Sequence, residues 1–158
     1  MSSFIFDQVK DMAVKGQLDF TSGTFKLALL DNTIVDSPAS WSDKTLWSEI
    51  EQYEIDESAV GYNYVGYTQK TLTNVGVTTD TNDADGDGLT DYKVYADNVT
   101  WVQSTIDADC AVIYKDDGAT LSLICAIDLR PNGTTVSSTV GTFTVTLSNG
   151  SGGFLIIN

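Results

Sequence analysis

A chain of 158 residues and 17.0 kDa fits one domain with its own buried core. Its 8 basic and 22 acidic residues leave a net charge of −14, which excludes a surface built to hold nucleic-acid phosphates or an anionic membrane. Without a single histidine it has no Ser-His-Asp or Cys-His nucleophile system and no His-ligated zinc or iron site, and at 42% hydrophobic residues it is not a disordered acidic tail.

The N-terminus is polar at Ser2 and Ser3 and lacks signal-peptide anatomy, which predicts synthesis in a cytoplasm. The pattern then predicts a helix over about 4–15. Ser3 is its N-cap, Asp7 lies near the positive end of the dipole, and Ile5, Val9, Met12 and Ala13 share one face. Asp11 and Lys15 form an i,i+4 pair, and Gly16 terminates the helix. Residues 1–16 are thus read as an N-terminal helix and 17–158 as the main domain.

Strands and loops make up the rest. Thr24 to Leu30 is strand-like with a continuous apolar end, and Asp31 to Thr45 is a polar loop carrying Pro38. Leu46 to Ile55 is ambiguous, with Trp47 and Ile50 fitting a short helical turn. Tyr62 to Tyr67, Lys70 to Val77, Tyr92 to Ala96, Val99 to Val102, Thr139 to Leu147 and Phe154 to Ile157 read as strands. No apolar stretch is longer than a strand: Cys110–Tyr114 and Phe154–Ile157 are of strand length. Many short strands broken by Gly, Asp and Asn predict an all-β fold, a single β-sandwich or jelly-roll-like domain behind one N-terminal α-helix.

The sharpest local expectation is a hairpin turning at Asp117-Gly118. In that register Tyr114 faces Leu121, Val112 faces Leu123 and Cys110 faces Cys125, all on one face, with the two cysteine Cα atoms about 5.5 Å apart. The favoured reading of the pair is two reduced core cysteines.

Asp83-Ala-Asp-Gly-Asp-Gly-Leu-Thr-Asp91 matches the first nine positions of a calcium loop, with Asp83, Asp85, Asp87 and Asp91 as oxygen donors. It resembles the loops of EF-hands and thrombospondin type-3 repeats. It departs from them at Val94, where the bidentate acid belongs, and Asp80 replaces that acid only if the chain folds back. The other reading is a solvated acidic loop between two strands, and no metal is assigned. Glu49/Glu51, Glu54/Asp56/Glu57 and Asp107/Asp109 can each be posed as an acid–base pair, but their spacing singles none out from a solvated acidic surface. No phosphate-binding glycine loop is present, and Ser42-Asp43-Lys44 is not a nucleophile motif. Trp41, Trp47, Tyr62, Tyr64 and Tyr67 fit a core or subunit interface better than a sugar-stacking surface. No catalytic residue is assigned.

Several segments together are familiar: Phe25-Lys-Leu-Ala-Leu-Leu-Asp31, Gly61-Tyr-Asn-Tyr-Val-Gly-Tyr-Thr68, Tyr95-Ala-Asp-Asn-Val-Thr-Trp101, Cys110-Ala-Val-Ile-Tyr-Lys-Asp-Asp117, Leu123-Ile-Cys-Ala-Ile-Asp128 and Gly141-Thr-Phe-Thr-Val-Thr146. In that order the chain resembles a family of small structural proteins of tailed-bacteriophage virions, from about Thr24 onward. The insert Asp80 to Asp91 departs from the pattern. The resemblance implies no catalysis. It implies a capsid decoration (cement) protein, or else a head-fibre, neck or tail component. Its partners would be the major capsid protein or other virion proteins and further copies of itself, with many copies substituting for single-site affinity. Residues 1–16, with Phe4, Ile5 and Phe6 exposed, are then expected to act as a docking arm whose deletion leaves the β-domain folded. The rivals are a calcium-dependent carbohydrate-binding β-sandwich, disfavoured by the missing signal peptide, and an acid-pair glycosidase, disfavoured by the small chain.

Overall fold

The computed structural model describes residues 4–31, 34–56, 64–80, 91–147 and 154–157. Its centre is an antiparallel sheet in the order β1 (Phe4–Ile5), β8 (Leu121–Asp128), β7 (Cys110–Asp116), β2 (Phe25–Leu30) and β3 (Lys70–Thr71). From Leu27 to Leu30 β2 is an unbroken apolar run because both its faces are buried. Leu27 and Leu29 join one core together with Ala111, Ile113 and Cys125. Ala28 and Leu30 join a second, with Cys110, Val112 and Tyr114.

The first core is closed by two smaller sheets. β5 (Asp91–Tyr95) lies between β10 (Leu155–Ile157) and β4 (Gly76–Asp80), and β6 (Val99–Ala108) pairs with β9 (Val136–Val145). Val94, Trp101, Ile106, Phe143 and Leu155 face inward from them, giving the expected sandwich-like all-β fold. The second core is covered without a sheet. The loop after β2 folds into 3-10 turns at Ile34–Asp36, Trp47–Glu49 and Glu51–Tyr53 and a single α-helical turn, α2 (Pro38–Trp41). It drops Ile34, Val35, Trp47 and Ile50 onto the sheet, and Trp47 stacks on Tyr114 with centroids 5.1 Å apart.

The N-terminal helix is shorter than its pattern predicts. α1 spans Gln8–Val14 with Asp7 at the N-cap, and Phe4–Ile5 is a strand paired with Ala126 and Cys125. The Phe6 N–H continues the pairing onto the Ile124 carbonyl at 3.1 Å, and the Phe6 side chain is fully buried. Helical spacing cannot see the unfilled β8 edge that captures these residues. The C-terminus does follow the sequence: Gly16 is left-handed (φ 66) and donates to Ala13, while Gln17 donates to Met12, a Schellman ending. The expected strand Lys70–Val77 is two, because left-handed Asn74 (φ 51) carries the chain from the central sheet to the outer one. Tyr64–Tyr67 holds only a bridge from Val65 to Thr105, turning away at Gly66 (φ 75).

The hairpin forms one residue later than expected. Its two-residue connection is Gly118-Ala119, with Gly118 at φ 82 and Asp117 bonded to Thr120, so Tyr114 faces Leu123. A bulge beside Ile113 then adds a residue to β8, placing Ile113 opposite Cys125 and Cys110 opposite Asp128. The bulge flips the parity of the far half. Cys110 therefore faces the second core and Cys125 the first, both as free buried thiols. Burial raises both thiols, Cys125 to about 12. No helix among the described residues is long and apolar enough to cross a membrane.

Candidate functional site

Polar groups with altered chemistry gather along one edge of β2. β3 covers Lys26 and Leu27 there, and residues 53–55 cover the far end, where Ile55 donates to the Leu29 carbonyl at 3.0 Å and Asp31 to the Tyr53 carbonyl at 3.2 Å. The Leu29 N–H lies between these coverings. It donates to the Tyr67 hydroxyl at 3.0 Å, so a side chain supplies the acceptor that a strand would have given. Tyr67 donates on to Glu54 Oε1 at 2.7 Å, Gln69 Nε2 donates to Glu54 Oε2 at 2.8 Å, and the Tyr114 hydroxyl donates to Gln69 Oε1. Both oxygens of a half-buried carboxylate are thereby satisfied. The network borders a cleft of about 680 Å³ whose lining adds Asp31, Glu51 and Asp56.

Burial raises Glu54 above the ordinary 4.5, against the pull of its two hydrogen bonds. Asp31 is raised by burial and then by the charge of Asp109, and Tyr114 is pushed up to about 12 by burial and then by Glu54. A raised carboxyl stabilises the fold fully below its unfolded value, and that contribution is lost as pH rises through its folded value. Glu54→Gln keeps the network by turning the Gln69 amide over. It should therefore gain stability over the wild type progressively as pH climbs above 4.5. Urea midpoints of both proteins across that range check this; a difference that shrinks with rising pH contradicts it.

The other carboxylates named from the sequence are dispersed. Glu49 accepts the N–H groups of Leu46 and Thr45, which hold it below the usual range, while Glu51 lies on the cleft. Asp107 is exposed on β6, whereas Asp109 is buried at the β6–β7 corner and accepts the Thr135 hydroxyl at 2.6 Å. Asp83, Asp85, Asp87 and Glu57 lie outside the described residues. Asp91 opens β5, its side chain likewise outside the description. Among the described residues no three Cys, Asp or Glu side chains are gathered to hold a metal. Of the aromatics, Trp47, Tyr64 and Tyr67 are buried, Trp41 is half-buried edge-on to Tyr53, and Tyr62 lies outside the described residues. Three of the five are therefore core residues.

Sequence reading missed Arg130, the one arginine of the chain. It is 7% exposed, bonded to Asp128 Oδ1 through Nε at 3.1 Å and forked onto both Asp36 oxygens. A lone arginine two residues from an aspartate at the end of an apolar strand was the available signal.

No protein-family model, curated protein or solved structure matches this chain. The cleft's central carboxylate is engaged at one oxygen by Tyr67, which holds the β2 edge, and at the other by Gln69, while Arg130 is engaged by two aspartates.

Proposed function

We propose that this chain is a structural, non-catalytic component of a tailed-phage virion: a decoration protein that binds the major capsid protein shell as a homo-oligomer, assembled in the host cytoplasm. The observation that carries the reading is the ordered set of segments that resembles that family, above all Tyr95–Trp101 followed by Cys110–Asp117. The physical traits agree with it. The fold is a sandwich-like β-domain, its buried polar clusters are satisfied internally, and its net charge of −14 suits a soluble part presented in many copies.

The test is to separate virions into heads and tails and quantify the 17.0 kDa chain in each by mass spectrometry. Many copies in the head fraction, and rebinding to tail-free shells, support decoration. Copies confined to tails or necks move the chain to that part of the particle. Absence from both overturns the virion reading.

A further inference from the structure

The chain passes from β8 to β9 through the turn Pro131–Gly133, with Asn132 and Gly133 exposed. The turn is pinned on both sides. Before it, Arg130 is bonded to Asp128 and forked onto Asp36; after it, the Thr135 hydroxyl donates to Asp109 at 2.6 Å. Asn132 lies at φ 56 and ψ 32, and Gly133 at φ 77, the consecutive left-handed pair of a type I′ turn.

That pair sets up a reaction within the chain. Attack of the Gly133 nitrogen on Cγ of Asn132 closes a five-membered ring. Planarity of the ring eclipses Cβ with that nitrogen, which gives an L-residue the first pair of angles of a type II′ turn, φ about +60° and ψ about −120°. Asn132 already holds the first of these. A flip of the exposed 132–133 peptide supplies the second and carries Gly133 to negative φ, a change glycine makes freely. The space beside Gly133 is open, since a Cβ there would meet nothing within 4 Å. Asn74 is the internal contrast. It too is exposed and left-handed (φ 51), but its amide donates to Asp97 at 2.6 Å and a β-branched residue, Val75, follows it. Asn98 also precedes a valine, Val99, and accepts the Leu147 N–H at 3.0 Å.

We propose that Asn132 is a self-modification site, deamidated through a cyclic imide with water as the co-reactant. The Gly133 nitrogen, its proton taken by hydroxide, bonds to Cγ of Asn132. The Cγ–Nδ2 bond breaks, and the amide leaves as ammonia with a proton from water. Water then opens the imide at either carbonyl. Opening at Cγ gives aspartate. Opening at the main-chain carbon gives isoaspartate and routes the backbone through Cβ and Cγ, one atom longer, between the Arg130 and Thr135 anchors. Nothing is oxidised or reduced, and either product makes the net charge one unit more negative than −14. The inference rests on the turn's geometry, independent of the virion reading. The second Asn-Gly pair, Asn149-Gly150, lies outside the described residues.

Peptide mass mapping of the full chain, aged in mildly alkaline buffer, tests it. Asn132 should convert at least tenfold faster than Asn74 and Asn98, to aspartate and isoaspartate together. Its rate in the folded chain should stay within tenfold of its rate in urea, because the turn already holds the ring's φ. Asn132→Gln, which would need a six-membered ring, should leave position 132 unchanged over the same period. Conversion at 132 no faster than at the other two asparagines, aspartate without isoaspartate, a rate that urea raises more than tenfold, or a glutamine that converts equally fast overturns the inference.

Discussion

Deleting residues 1–16 should destroy the fold of the remainder. The sequence suggests a detachable arm, but the structure places Phe6, Val9 and Met12 in the cores and Phe4–Ile5 on the edge of β8. Burial of a large apolar side chain stabilises by about 1.5–3 kcal/mol, so these three buried residues together contribute roughly 5–9 kcal/mol. Total stabilities are of the order of 5–15 kcal/mol. The deletion also exposes the β8 edge, including the Ile124 carbonyl that Phe6 satisfies. The shortened chain should lack the near-ultraviolet dichroism of its packed tryptophans and show no cooperative urea transition. A wild-type spectrum with a sharp transition would restore the arm.

This reversal marks the boundary of what the residues disclose. The β-rich class was legible because apolar runs of strand length recur between Gly, Asp and Asn. The Gly16 ending was legible because a left-handed cap is a local requirement. The hairpin's existence was legible, but its register was not. Register is read from which face is apolar, and Cys110–Tyr114 and Leu123–Cys125 are apolar on both, since cores lie on either side of the sheet. With no alternation to oppose it, the bulge beside Ile113 leaves no trace in the sequence, and it alone puts the two cysteines on opposite faces. The candidate site fails to show for a related reason. Glu54 is set apart from its acidic neighbours by Tyr67, Gln69 and the open N–H of Leu29, and they meet only in the fold. Nothing in the spacing of Glu54, Asp56 and Glu57 marks out Glu54.

Arg130→Met should cost about 3–5 kcal/mol, the usual result of removing one partner from a buried ion pair. The two aspartates will not share the loss equally. Asp36 keeps 54% of its side-chain exposure and can rehydrate, whereas Asp128, at 9%, is left as a charge with little access to water. Asp128→Asn in the Arg130→Met background should therefore recover much of the stability, while Asp36→Asn should recover little. Arg130→Lys should behave as a loss, because an ammonium cannot span the fork between two carboxylates. The position gives the substitution its reach. Asp128 ends β8 and Asp36 closes the 3-10 turn that brings Ile34 and Val35 onto the second core, so Arg130 ties the covering loop to the sheet. Its loss should loosen that cover first, seen as faster hydrogen exchange over 34–53 than in β6 and β9. Urea unfolding of the four variants decides the energetics. A loss below 1 kcal/mol for Arg130→Met, or equal rescue by both asparagines, would show that the cover is held by Trp47 on Tyr114 instead.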